Sequence, residues 1–388
     1  MSDTLQQEII DLAQRLVRIP SPDGCATFDP VIEAVGEWLD RNGLPWERLV
    51  DEEDRGVGVF LTMDSGLPGL STCLDAPIDT ATVSHEKEWQ FNPFDGVIDE
   101  GRMHGRGAAD CKIAVSIFCH LARELAACSL VRQGRLHVLF DADEHSGRFG
   151  GIRSVVEQHK IPLDFVAIGY PGNDAVCYGA RGFYRVTITC FGNEGHSGGK
   201  RPQGQNPLTK AAQIAVGLSA IQLPAESDPD FAFGPRLSVT QIKGGDSFST
   251  IPATAELKVD VRLTPGFTAS DARRLIKQVV DDVDADMPGK AASEMSEVES
   301  RPAYKLDADC QPACILLDSA RAEFGPKMGF KVCGPGNIGN YLAQQEIPSV
   351  CGFGVSFTNA HGKDESIDLS TISGVYRAYL NAVRRWHE

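Results

Sequence analysis

Leu136-His137-Val138-Leu139-Phe140-Asp141-Ala142-Asp143-Glu144-His145-Ser146-Gly147 passes in one step from a mostly apolar run to a turn crowded with acids and an imidazole. The run Leu136–Phe140 predicts a strand, and the long apolar stretch Ile113–Ala127 before it predicts a helix. Working outward, Gly56–Leu61, Leu70–Leu74 and Phe165–Gly169 are further strand candidates. Strands alternating with helices imply an α/β fold, a mostly parallel twisted sheet with helices on both faces. Such sheets collect ligands beyond the carboxyl ends of their strands, which is where Glu144 and His145 fall.

Toward the N-terminus, Ile9, Leu12, Leu16 and Ile19 recur at helical spacing until Pro20-Ser21-Pro22, and a second helix runs from about Pro30 to Asn42, closed by Gly43. After Gly179 the pattern changes. Phe183–Phe191 alternates as a half-buried strand, Pro207–Ile221 is helical, Arg236–Lys243 and Ala255–Leu263 are strands, and Ser270–Val283 is an amphipathic helix. This predicts a smaller α+β unit at residues 179–289, inserted into a domain made of residues 1–178 and 290–388. The second piece carries the helix around Ala313–Phe324, the strand Ser349–Gly354 and the final helix Leu369–Trp386.

A chain of 388 residues is long for a single core, in keeping with two domains. Its formal net charge of -16 opposes attraction to nucleic acid or to anionic membrane surfaces. No stretch approaches a transmembrane helix, and Met1-Ser2-Asp3-Thr4 leads into Glu8-Ile9-Ile10-Asp11 without the basic flank of a signal peptide. Eleven cysteines without framework spacing suit a reducing compartment, so a cytoplasmic protein is expected. Cys310 and Cys314, with no second pair nearby, read as helix packing.

Three separated stretches carry chemistry: Gly105-Arg106-Gly107-Ala108-Ala109-Asp110-Cys111-Lys112, Asp143-Glu144-His145, and Asn359-Ala360-His361-Gly362-Lys363-Asp364-Glu365. Alone, Asp110 would serve as a helix cap, Asp143–Gly147 as a polar turn and His361 as a surface residue. Together they fall at strand ends of one sheet. Two imidazoles and one carboxylate then form a facial set for a divalent cation, with positions left open. Glu144 is the spare carboxylate for moving a proton. His196, in Gly195-His196-Ser197-Gly198-Gly199-Lys200, is either a simple turn residue or a hydrogen-bond donor delivered to a neighbouring subunit's site.

The chain resembles the co-catalytic zinc peptidase and aminoacylase family that includes acetylornithine deacetylase, succinyl-diaminopimelate desuccinylase and the glutamate carboxypeptidases. The matching residues span nearly the whole length: Arg18-Ile19-Pro20-Ser21, Trp89 with Asn92-Pro93-Phe94, Gly105-Arg106-Gly107 with Asp110 and Lys112, Asp143-Glu144 with Gly147 and Gly150, Gly195-His196-Ser197 with Gly204 and Asn206, and Ala360-His361 with Asp364-Glu365. The resemblance implies a split catalytic domain and a smaller lid that mediates dimerisation. It implies that Asp110 bridges two metals, Glu144 is the general base, His361 is the final ligand and His196 reaches a partner's active site.

The departures are as informative. The family's His-x-Asp motif is met here by Pro77-Ile78-Asp79, and proline has no ligand atom in its side chain. The second member of the family's Glu-Glu pair is His145, which can still ligate. A later carboxylate is replaced by Tyr170 in Gly169-Tyr170-Pro171, and a neutral phenol is a poor ligand at pH 7. Both losses fall on one metal position, which predicts a single cation on Asp110, His145 and His361, with zinc, manganese, iron and nickel all open. An alternative register, Cys73-Leu74-Asp75 over the motif, would supply a thiolate.

These readings predict a metal-dependent hydrolase that cleaves a C–N bond in a small, carboxylate-bearing N-acyl amino acid or peptide. Arg181, Arg201 and Arg262 are candidate carboxylate anchors, and Asn337 and Tyr170 candidate substrate contacts. A single-metal hydrolytic deaminase or other aminohydrolase is the second enzymatic reading. A ligand-binding relative that has shed its metal is the non-enzymatic one. A homodimer or higher homo-oligomer through the lid is expected.

Overall fold

A computed structural model of the chain describes residues 1–198, 206–287 and 290–388. They form two compact units: Met1–Gly179 with Lys305–Lys331 and Asn337–Glu388, and Ala180–Tyr304 with Val332–Gly336.

The first unit is α/β. Its six-stranded sheet runs in the order Glu47–Val50, Gly56–Asp64, Arg135–Asp141, Ser71–Asp75, Phe165–Ile168, Ser349–Val350. The last four are mutually parallel and the first two antiparallel. Ser71–Asp75 and Phe165–Ile168 are buried at every position, as expected of strands covered on both faces. The expected strand Ser349–Gly354 keeps its pairing only as far as Val350. Beyond it the Cys351 and Gly354 N–H groups bond to Cys177 O and Gly172 O, which takes the backbone away from the sheet.

Amphipathic periodicity explains the helices. Asp3–Val17 buries Ile9, Leu12, Leu16 and Val17, and Ser2 caps it by accepting from Leu5 N–H. It packs against Ile113–Ala127, whose Ser116 hydroxyl donates to Ile9 O at 2.7 Å. The final helix is Ile372–Trp386; Leu369–Thr371, expected to open it, is instead a 3-10 turn capped by Asp368. A small antiparallel sheet, Phe357–Thr358, Ser366–Asp368, Arg102–His104, Val97–Asp99, joins the C-terminal piece to the glycine-rich turn.

The second unit is a four-stranded antiparallel sheet in the order Arg236–Lys243, Thr254–Leu263, Gly182–Phe191, Glu294–Arg301, with helices Pro207–Ser219 and Ala269–Asp286. Tyr184, Val186, Ile188, Leu257, Val259 and Val261 meet Ile214, Leu218, Ile276 and Val280 in its core. The unit runs on to Tyr304 rather than closing at residue 289, because Glu294–Arg301 adds a fourth strand along Gly182–Phe191. That strand, Glu-Met-Ser-Glu-Val-Glu-Ser-Arg, is a charged edge without an apolar run.

Candidate metal centre

The glycine-rich turn is held from both ends. Gly107 has φ +82, and a Cβ there would lie 2.6 Å from Thr80 Cγ2, so only glycine fits without displacement. Asp110 and Cys111 leave helical geometry, and Lys112 opens the following helix without a side-chain cap bond. Asp110 is therefore not spent as a helix cap. Lys112 Nζ donates to Leu16 O and Ile19 O, at 3.0 and 2.7 Å, and ties the turn to the first helix.

The His361 loop is brought to this turn by the small sheet, in which Ser366 faces His104 and Ile367 faces Met103. One buried ion pair then locks both. Glu365 accepts from Arg106 Nη1 at 2.6 Å and from the backbone N–H groups of Ala109 and Asp110 at 2.9 and 3.2 Å. Arg106 also donates to His361 O and Gly362 O, each at 3.1 Å, and its guanidinium lies over Trp89. His361 itself has φ +62, a conformation a non-glycine residue holds only when its surroundings over-determine it.

Asp110, His145 and His361 converge, with one candidate ligand atom from each lying within 4.8 Å of the others. Asp110 Oδ2 is 2.6 Å from His361 Nε2 and 3.8 Å from His145 Nε2. His145 Nδ1 faces Asp79 Oδ2 and Glu144 Oε2, each at 3.3 Å, and Asp79 also accepts the His145 backbone N–H at 2.9 Å. The outer carboxylate thus turns Nε2 toward Asp110. The other oxygens of Asp110 and Glu144 also have partners: Cys111 Sγ–H donates to Asp110 Oδ1 and Tyr170 Oη–H to Glu144 Oε1, both at 2.6 Å.

Burial makes these charges interdependent. It raises the Asp110 carboxyl, but the imidazoles of His145 and His361 outweigh it and hold Asp110 well below the usual range. Burial pulls His145 down, yet the Asp110, Asp79 and Glu144 carboxylates push it up to about 12. Glu144 is pushed up to about 7, first by burial and then by the charges of Asp110 and Asp79, against the opposing pull of His145 and Tyr170.

The donor set fits a divalent cation. Neither ring nitrogen of His145 has a well-formed hydrogen bond although both are buried, and an ion opposite Nε2 would satisfy that atom. Cys73, the alternative thiolate, is fully buried on its strand with Sγ against Leu74 O, and the cluster does not include it.

The remaining predicted residues lie elsewhere. In the second unit, His196 is exposed on a two-residue strand beside Thr250, and its Nδ1 accepts from Gly198 N–H at 3.1 Å. Arg181 donates to Gly334 O and Gly234 O and lies over Phe233, and Arg262 pairs with Asp260 at 2.9 Å. Arg201 is outside the described residues. In the first unit, Asn337 is buried as a helix N-cap, accepting from Gly339 N–H at 2.9 Å. Sequence reasoning missed the Asp79 contact to His145, the Glu365 clamp and the Cys111 thiol. The acids could have been suspected from their place in polar strand-end loops; nothing in the sequence marked the thiol.

Known proteins resemble this chain in sequence and in fold. The model of peptidase family M20/M25/M40 matches residues 73–385. An acetylornithine deacetylase of Proteus mirabilis is 26% identical over 94% of this chain and 92% of its own length. A succinyl-diaminopimelate desuccinylase of Xanthobacter autotrophicus is 30% identical over 70% of this chain and 72% of its own. Among solved structures, an M20 metallo-carboxypeptidase from Sulfolobus solfataricus superposes with a TM-score of 0.78 at 17% identity, covering 100% of this chain and 99% of that one. A di-peptidase from Saccharomyces cerevisiae gives a TM-score of 0.79 at 15% identity, over 99% of this chain and 97% of that one. The chain belongs to peptidase family M20/M25/M40 and is a hydrolase of that family.

Proposed function

We propose that this member of the M20/M25/M40 family hydrolyses the C–N bond of a small, carboxylate-bearing N-acyl amino acid or peptide at a one-cation site. The observation that carries the reading is the convergence of Asp110, His145 and His361 with the buried Glu144 carboxylate beside them. Relatives named as a deacetylase and a desuccinylase support the amide class.

A divalent cation on Asp110, His145 and His361 would supply the positive charge that acidifies water and polarises the scissile carbonyl. Glu144 does the proton work. Its carboxylate takes the proton of the attacking water and passes it to the leaving nitrogen, with Asp79 holding the His145 ring in place throughout. Because Nδ1 of His196 is an acceptor for Gly198 N–H, its ring proton sits on Nε2, which makes it a donor suited to an oxyanion. We assign it that role in the site of a partner copy, with self-association through the second unit. Arg181, Arg201 and Arg262 are the proposed anchors for the substrate carboxylate, with Asn337 and Tyr170 as further contacts. Eleven free cysteines support a cytoplasmic setting. No described helix is long and apolar enough to cross a membrane.

The aminohydrolase reading is kept for one reason: Tyr170 bonds the base where the resembling family has a carboxylate, which alters the surface a leaving amine meets. Turnover of N-acetyl, N-succinyl and N-carbamoyl amino acids, beside aromatic amines, separates the two. Glu144→Gln is expected to lower kcat about 10²–10⁴-fold while the bound metal per chain is unchanged; undiminished kcat would remove Glu144 from its role.

A further inference from the structure

Asp110 and Glu144 are divided in the same way. Each turns one oxygen toward the imidazoles: Asp110 Oδ2 lies 2.6 Å from His361 Nε2, and Glu144 Oε2 lies 3.3 Å from His145 Nδ1. Each has its other oxygen closed by a proton donor: Asp110 Oδ1 by the Cys111 thiol and Glu144 Oε1 by the Tyr170 phenol, both at 2.6 Å. A donor on one oxygen of a carboxylate fixes the rotation of the group and so which oxygen is turned toward the imidazoles.

The geometry points to Cys111 and Tyr170 as a pair of positioning residues that orient the two carboxylates, presenting Asp110 Oδ2 as the ligand atom and Glu144 Oε2 as the proton-accepting atom. This rests on the proposed one-cation site and adds what orients its carboxylates. The thiol and phenol act through the carboxylates. Neither is a metal ligand.

The test needs no substrate in its first part. The full chain, stripped with a chelator, is titrated with zinc and with cobalt, and ions per chain, affinity and cobalt spectrum are read for wild type, Cys111→Ala, Cys111→Ser and Tyr170→Phe. One ion per chain without a thiolate-to-cobalt charge-transfer band is expected for wild type. Cys111→Ala should weaken that ion about 10–100-fold, and Cys111→Ser, which keeps a donor, should restore most of it. Tyr170→Phe should leave metal affinity within about threefold yet lower kcat about 10–100-fold, with the pH profile of kcat displaced. Two tightly bound ions in wild type, a thiolate band, or equal affinity in Cys111→Ala would overturn the inference while leaving the hydrolase reading standing. A wild-type chain that takes up no cation would overturn both.

Discussion

The six-stranded sheet of the first unit and the four-stranded sheet of the second treat their charged residues in opposite ways. In the second unit, Thr254–Leu263 alternates strictly: Ala255, Leu257, Val259, Val261 and Leu263 are buried, while Glu256 and Lys258 face solvent. In the first unit, Asp75, Asp79, Asp110, Asp141 and Glu144 all lie buried at or just beyond strand ends. Asp141 is satisfied by the N–H groups of Gly151 and Ile152, each at 2.9 Å, but both oxygens of Asp75 and one of Asp79 have no hydrogen-bond partner. Stability alone does not favour such a cluster, because an unpaired buried carboxylate costs more than the apolar residue that could replace it. The core of the second unit shows what this chain builds where packing decides; the first unit departs from it where the ligand atoms converge.

The comparison breaks first at the Arg106–Glu365 pair. Arg106→Met strands a buried carboxylate and should cost about 3–5 kcal/mol in urea unfolding, together with metal affinity, because Glu365 fixes the Ala109 and Asp110 amides. Adding Glu365→Gln should recover part of the stability but not of the affinity. A cost no larger than a surface substitution would mean that the clamp does not organise the site.

Leu257→Ala probes the other sheet. This fully buried side chain should cost about 2–5 kcal/mol, seen as earlier unfolding of the second unit with metal affinity unchanged. Coupled loss of metal would show that the two units do not separate energetically.

Acid sharpens the contrast between neutral and charged burial. His120 and His137 are each pulled down to about 4, mainly by burial. The unfolded chain therefore binds a proton near pH 6.5 that the folded chain refuses until about pH 4. Their contribution is full above pH 6.5 and is lost as pH falls through this window, about 3 kcal/mol each at the lower end. In His120→Gln the stability difference between pH 7.5 and 4.5 should shrink by roughly 2 kcal/mol; an unchanged difference would refute the assignment. The smallest effect is expected at the exposed pair Lys277–Asp281, where Lys277→Ala should change stability by no more than about 0.5 kcal/mol.

Much of this was legible beforehand. Arg236–Lys243 and Ile113–Ala127 have the boundaries their periodicity predicts, because a burial pattern is a local property of the chain. The strand Glu294–Arg301 was not legible, since a charged edge strand looks like a loop until its partner is known. Asp110, His145 and His361 are each ordinary for their loops taken alone and stood out only as a set at strand ends, and their side chains do meet.

The sequence by itself determined the alternation of strands and helices, the α/β class, and the residue types available for a metal and a base. These follow from periodicity and side-chain chemistry, which need no partner. Only the tertiary structure decided which oxygen of each carboxylate faces the imidazoles, that Asp79 orients His145, and that Glu365 clamps the turn from 255 residues away along the chain. Those are relations between atoms far apart in sequence, and their directions are set by packing, to which local patterning is blind.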